Sequence, residues 1–167
     1  MPESLELVTS SPKLPPQALE AEQSLLGGLL LDNRKWDEVI DEVGYQDFYS
    51  QNHRLIFNAI AGLQAAGDPA DVITVSEWLE SDNKLDAAGG LSYIGSLANN
   101  TPSTANILTY AKIVRERSIL RSLIAAANDI ADSAYNPEGQ TPKEVLEKAE
   151  KLVFDIADRD GRSRQGF

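Results

Sequence analysis

Cysteine is absent from this sequence, histidine occurs once, and no apolar run approaches the length of a membrane span. Without thiols there are no disulfides and no thiolate metal sites, which fits a reducing compartment. One histidine, His53, leaves little from which to build a metal centre, and no metal site is expected. A spanning helix needs about 20 consecutive apolar residues, so a membrane protein is not expected either. The opening MPESLELVTSSPKLPP has no basic region followed by an apolar one, so it does not read as a secretory signal. The expectation is a soluble, cytoplasmic protein. Basic residues are also scarce: 15 Lys and Arg stand against 26 Asp and Glu, for a net charge of -11. Nucleic-acid binding rests on cations displacing phosphate counterions, so tight autonomous DNA binding is not expected. An acidic docking surface for a basic protein partner suits this balance better.

Catalytic constellations are missing too. Carboxylates abound, but no pair is fixed by spacing where its acidity would be perturbed, and no catalytic residue is assigned. His53 stands at an apparent helix start (Ser50, Gln51, Asn52), where a capping or partly buried role is expected. Arg115-Glu116-Arg117 reads as the solvated face of a helix. There is no Gly-x-x-x-x-Gly-Lys-Ser/Thr loop, so nucleotide hydrolysis by the P-loop route is not available to these residues. Three classes compete for such a chain: a small acid–base hydrolase, a helical DNA-binding module and a protein-interaction scaffold. Only the last has support in the sequence.

That support is helical periodicity. Between residues 103 and 136 there is no glycine or proline, and the pattern predicts a helix of about thirty residues, roughly three times the usual length. Ser103 and Thr104 are of capping type at its start. Leu120, Ile124, Ala127, Ala131 and Ala134 form a stripe along it. The break at 136–140 is followed by Thr141, Pro142 and Glu144, a capping box. The next helix carries Val145, Ala149, Leu152 and Ile156. Two such seams joined by a short turn describe an antiparallel hairpin. Ile119, Leu123, Ile130, Leu146, Val153 and Phe154 exceed what one internal seam can use, which implies a second contact.

Upstream, helices are expected from Pro15-Pro16 through Leu30, through Trp36 and Ile40, from Ser50 to Ala66, from Val72 to Leu79, and from Gly89-Gly90 through Leu97. Gly27-Gly28 inside the first predicts another helix packed closely against it. The run from Tyr45 to Tyr49 reads as an aromatic core plug. The fold class is all-α, a compact head of about five to six helices followed by an extended antiparallel hairpin. The organisation expected is a disordered leader at 1–14, the head at 15–102, the hairpin at 103–158, and at 159–167 the start of a linker.

The strings PPQALEAEQSLLGGLLLDNRKWDEV, DFYSQNHRLIFNAI, AAGGLSYIGSLANN and NTPSTANILTYAKIVRERSILRSLI, in this order, resemble the amino-terminal region of the bacterial hexameric replicative DNA helicase, the DnaB family. The resemblance covers about residues 15–158. It implies a non-enzymatic collar domain whose hairpins pair, giving a trimer-of-dimers ring, and which docks the carboxy-terminal domain of primase. ATP and magnesium are then expected only for an ATPase domain that is not in this sequence, and no cofactor is expected here. A helicase loader or a phage protein is a further candidate partner. Ile124, Ile130 and Val145, with Tyr110 and Arg117, are the residues expected to dock primase or shape the hairpin. Ile119, Leu123, Leu146 and Phe154 are those expected to serve self-association. The alternative is a general helical interaction module with a different partner.

Overall fold

The computed structural model describes residues 13–165; most of the expected leader lies outside them. Seven α-helices are present among the described residues: α1 (Leu19–Leu31), α2 (Trp36–Glu42), α3 (Gln51–Ala65), α4 (Val72–Ser81), α5 (Gly90–Asn99), α6 (Ile107–Tyr135) and α7 (Pro142–Gln165). Two short 3-10 turns, Asn33–Lys35 and Tyr45–Asp47, connect the first three. The all-α expectation holds for the described residues.

Helix α1 is the axle of the head. Leu25, Leu26 and Leu29 are fully buried, and α1 packs closely against α3, α5 and α6. Gly27 and Gly28 explain how the neighbours approach. A side-chain carbon at Gly27 would overlap the Leu97 carbonyl of α5 and the Thr101 hydroxyl, and one at Gly28 would lie 2.7 Å from the Ile107 side chain. The glycines cost helix propensity, and the close packing of α5 and α6 against α1 offsets it.

The connecting segments are held by short-range polar bonds. Asp32 accepts from the backbone N–H of Arg34 at 3.0 Å and pairs with its guanidinium, which holds the Asp32 carboxyl down at about 2. Asn33 bridges elements by bonding the carbonyls of Leu29 and Ala70 and the Ala70 N–H. Asp71 and Thr74 form a reciprocal capping box at the start of α4. In the segment read as an aromatic plug, only Phe48 is an aromatic core residue, its ring packed at a tilt against Phe57; Tyr45 and Tyr49 are exposed.

The long helix begins at Ile107, later than Ser103 and Thr104, and its N-cap Asn106 makes no side-chain capping bond. Ile107, Ala111 and Val114 belong to the same core as α1 and α5. The first two turns of α6 are thus a wall of the head, beyond residue 102 where the sequence reading ends it. At the far end, α7 runs through Gly161 to Gln165, where the sequence predicts that the helical pattern stops at Asp158.

Candidate interaction surface on the helical hairpin

The rotation of α6 about its axis decides which side chains the hairpin shows to solvent. Ile107, Ala111, Val114 and Ser118 are buried against the head. Burying this run fixes the helix, because each fully buried aliphatic side chain contributes about 1.5–3 kcal/mol. Apart from Arg121, which reaches back to the head, the less exposed positions on α6 past Ser118 are Ile119, Ser122, Ala126, Ile130 and Ser133. On α7 they are Val145, Ala149, Leu152 and Ile156, as the spacing predicts. The expected α6 stripe is therefore corrected: Leu120, Ile124, Ala127, Ala131 and Ala134 are exposed and do not form the internal seam. Both registers have helical spacing, and contact with the head selects between them. Small residues at 122, 126 and 133 let the rods approach, and Ser133 accepts a bond from Lys148 of α7 at 3.2 Å.

Residues advance about 100° around a helix at each step. Measured from the inward seam, Leu120, Leu123, Ile124, Ala127 and Ala131 fall on one flank of α6. Leu146 and Val153 fall on the corresponding flank of α7. Because the rods are antiparallel, these flanks lie on one side of the hairpin and form a joint apolar face. Leu146 is 60% exposed and Phe154, beside Val153, 65%. Ile130 is half-buried between the rods, where it lines an open groove of about 800 Å³ with Ala149, Val153 and Phe154.

The residues expected to act at the hairpin thus have different placements. Ile124, Leu123, Leu146 and Phe154 are exposed. Ile130 and Val145 are half-buried in the seam. Tyr110 and Arg117 stand two heptads and one heptad before Ile124, on the same flank of α6. They line a separate groove of about 580 Å³ with Ala18, Leu19 and Ile113 at the head. Ile119 lies half-buried at the root of the hairpin, beside Arg115 and Asp160. The structure brings Ile124, Leu123, Leu146 and Val153 to one side and leaves Tyr110 and Arg117 further down the arm.

Sequence reasoning missed the polar bracket at this root. Arg115, expected on a solvated face, is 8% exposed. It pairs with Glu42 of α2 at 3.0 Å and with Asp160 near the end of α7. Arg159 approaches Asp47 at 3.5 Å, and Asp47 also accepts from Ser118 at 2.7 Å. Arg121 donates to the carbonyls of Pro16 and Asp47 and lies over the Tyr49 ring. Burial lowers the pKa of Arg121 from its ordinary value. Three arginines thus tie both arms of the hairpin to the head and set its angle. The acidic residues at 158 and 160 amid a basic tail were the available signal: a helix held by ion pairs does not need an apolar stripe.

His53, at a position where the sequence predicts a capping or partly buried role, is fully inside. Its Nδ1 lies 2.8 Å from Glu22 Oε1 and its Nε2 2.6 Å from the Tyr93 hydroxyl. Glu22 also accepts the backbone N–H of Tyr49 at 2.7 Å and of Ser50 at 3.3 Å. Helix α3 has no side-chain capping bond from Ser50, and Glu22 of α1 holds the backbone that leads into it. Glu22 and His53 are buried, with the half-buried Tyr93 closing the chain of bonds, which suits a structural role.

Comparison with known proteins agrees with this architecture. The family model for the DnaB-like helicase N terminal domain matches residues 14–116. The replicative DNA helicase DnaB of Buchnera aphidicola subsp. Baizongia pistaciae is 46% identical over 151 residues, 90% of this chain and 33% of its own length. The replicative DNA helicase DnaC of Bacillus subtilis is 40% identical, again over 90% of this chain and 33% of its length. The chain spans about a third of the length of the curated relatives it matches. The crystal structure of the N-terminal domain of DnaB helicase from Mycobacterium tuberculosis superposes with a TM-score of 0.82 at 36% identity, covering 85% of this chain and 99% of that one. A DnaB-like replicative helicase solved in a study of its interactions with primase shares the fold, with a TM-score of 0.69 at 22% identity over 83% of this chain and 31% of that one. The region matched is the amino-terminal domain of these helicases. With a family model across more than half of its residues and a solved domain covered almost end to end, this chain belongs to the family of DnaB-like helicase N-terminal domains.

Proposed function

We propose that this domain is a non-catalytic scaffold of a cytoplasmic replicative helicase, serving both hexamer assembly and the docking of primase. One observation carries the reading: a joint apolar face along one side of a rod that projects past the head. Contiguous apolar surface of this kind marks a contact site, and hairpins pair through such faces with coiled-coil-like interdigitation. Leu123, Leu146 and Phe154 serve the pairing of hairpins into the dimers of a trimer-of-dimers collar, and Ile119 supports it from the seam at the root. Ile124 contacts the carboxy-terminal domain of primase, Ile130 and Val145 shape the surface from the seam, and Tyr110 and Arg117 extend it toward the head. The kinship with replicative helicases and the primase interaction of a helicase of the same fold support this assignment. ATP and magnesium belong to the ATPase domain, and these residues need no cofactor. The charge of -11 keeps the domain from holding DNA tightly by itself. A helicase loader or a phage protein would meet the same exposed surface.

The test is a titration of the cognate primase carboxy-terminal domain against this chain. Ile124→Asp should weaken binding by roughly tenfold or more, because a charge placed in an apolar contact loses solvation without a partner. Helicity should stay unchanged, since Ile124 is exposed. Ile130→Asp or Val145→Asp should weaken binding too, but with a measurable loss of hairpin stability. Full affinity in an Ile124→Asp, Leu146→Asp double variant would place the primase site on the head. Truncation near residue 102 is not a usable control, because it removes Ile107, Ala111 and Val114 from the core.

A further inference from the structure

The head carries a second apolar surface that assembly and primase docking on the hairpin do not use. On α4, Ile73 is 63% exposed and Trp78 40% exposed, and with Leu63 of α3 they line an open groove of about 650 Å³. The tryptophan is held in place. A side-chain carbon at Gly62 would overlap the Trp78 six-membered ring, so the bare helix backbone is what lets the indole lie against α3. Ring position is set before any partner arrives, which lowers the ordering cost of binding.

Charge around this groove is one-sided. Between residues 68 and 86 there are six carboxylates (Asp68, Asp71, Glu77, Glu80, Asp82 and Asp86) and a single cation, Lys84, which is paired with Asp82 at 3.1 Å. Glu77 and Asp82 line the groove itself. A second copy presenting the same groove would bring carboxylates against carboxylates. An acidic rim around a fixed aromatic face fits lysine or arginine, which gains both ion pairing and a cation–π contact.

We propose that the groove between α3 and α4 is a docking site for a basic amphipathic segment of a partner protein. The segment places an apolar side chain over Leu63 and Ile73, and a cation between the Trp78 ring and the carboxylates of Glu77 and Asp82. This site is separate from the hairpin and does not depend on the reading given to it.

Trp78 supplies the readout, since the other tryptophan, Trp36, is buried. The probes are two short tryptophan-free amphipathic peptides, one of leucine and lysine and one of leucine and glutamate, titrated against the intact chain at low salt. The leucine–lysine peptide should give a saturable blue shift of the Trp78 emission, and the glutamate peptide none. A Glu77→Lys, Asp82→Lys variant should lose about tenfold in affinity, and the signal should weaken as salt rises. Ile73→Ser, which leaves the charge unchanged and removes only an exposed apolar group, should lose about threefold or more. As a control, Glu147→Lys with Glu150→Lys on α7 changes the net charge equally. If that variant weakens binding as much as the groove variant, the attraction is the charge of the whole chain and the proposal is overturned. Equal binding of the two peptides, unchanged binding by Ile73→Ser, or a shift that follows protein concentration without peptide would overturn it as well.

Discussion

Glu22→Ala should destabilise the domain by on the order of 3–5 kcal/mol, among the largest effects of any single substitution here. The carboxylate is 1% exposed and is the acceptor for His53 Nδ1 and for the Tyr49 and Ser50 backbone N–H groups. Alanine leaves the buried His53 nitrogen and two part-buried backbone N–H groups without an acceptor; a fully buried donor left so costs about 1–3 kcal/mol and the part-buried ones less. Some of that is recovered as the start of α3 relaxes toward water. Glu22→Gln keeps the shape and one acceptor oxygen but turns a donor amide toward groups that are themselves donors, so its loss should be intermediate. Urea unfolding of the two variants beside the parent checks the order. A Glu22→Ala midpoint equal to that of the parent would contradict the role given to this residue as the acceptor at the start of α3.

The second large effect is expected at Gly27, and it comes with an internal control. In an exposed helix, Gly→Ala gains about 0.5–1 kcal/mol by restricting the unfolded chain and improving propensity. Gly95 on α5 meets nothing within 4 Å of its would-be side-chain carbon, so Gly95→Ala should be stabilising by that amount. Gly27→Ala should instead lose about 2–3 kcal/mol, because the new carbon meets the Leu97 carbonyl and α5 must move away from α1. Gly27→Val should lose more. Opposite signs at two helical glycines of the same domain would isolate close approach as the cause. A gain at both would mean that α1 and α5 have room to spare.

The contrast between these sites shows which parts of the molecule are legible in its sequence. Gly27-Gly28 announced a close neighbour because an unfavourable residue pair in a helical run calls for a local reason. Val145, Ala149, Leu152 and Ile156 gave the correct seam of α7, since few apolar alternatives compete on that helix. On α6 the apolar residues surround more of the helix, and two registers fit the same spacing. The contact of Ile107, Ala111 and Val114 with the head selects between them, and that contact is tertiary. The same limit applies to Arg115 and to Glu22. Their partners, Glu42, Asp160 and His53, lie tens of residues away, and nothing in local spacing joins them. The exposed apolar surplus of the hairpin was legible as a quantity; its arrangement on one side needed the structure.

That arrangement is the centre of this account, and molecular mass across a concentration series tests it most directly. Sedimentation equilibrium of the chain should show reversible association, and Leu123→Asp with Leu146→Asp should shift the association constant by about tenfold or more toward monomer at unchanged far-UV helicity. A chain that stays monomeric at every concentration, or a double variant that associates like the parent, would contradict the assignment of this face to self-association.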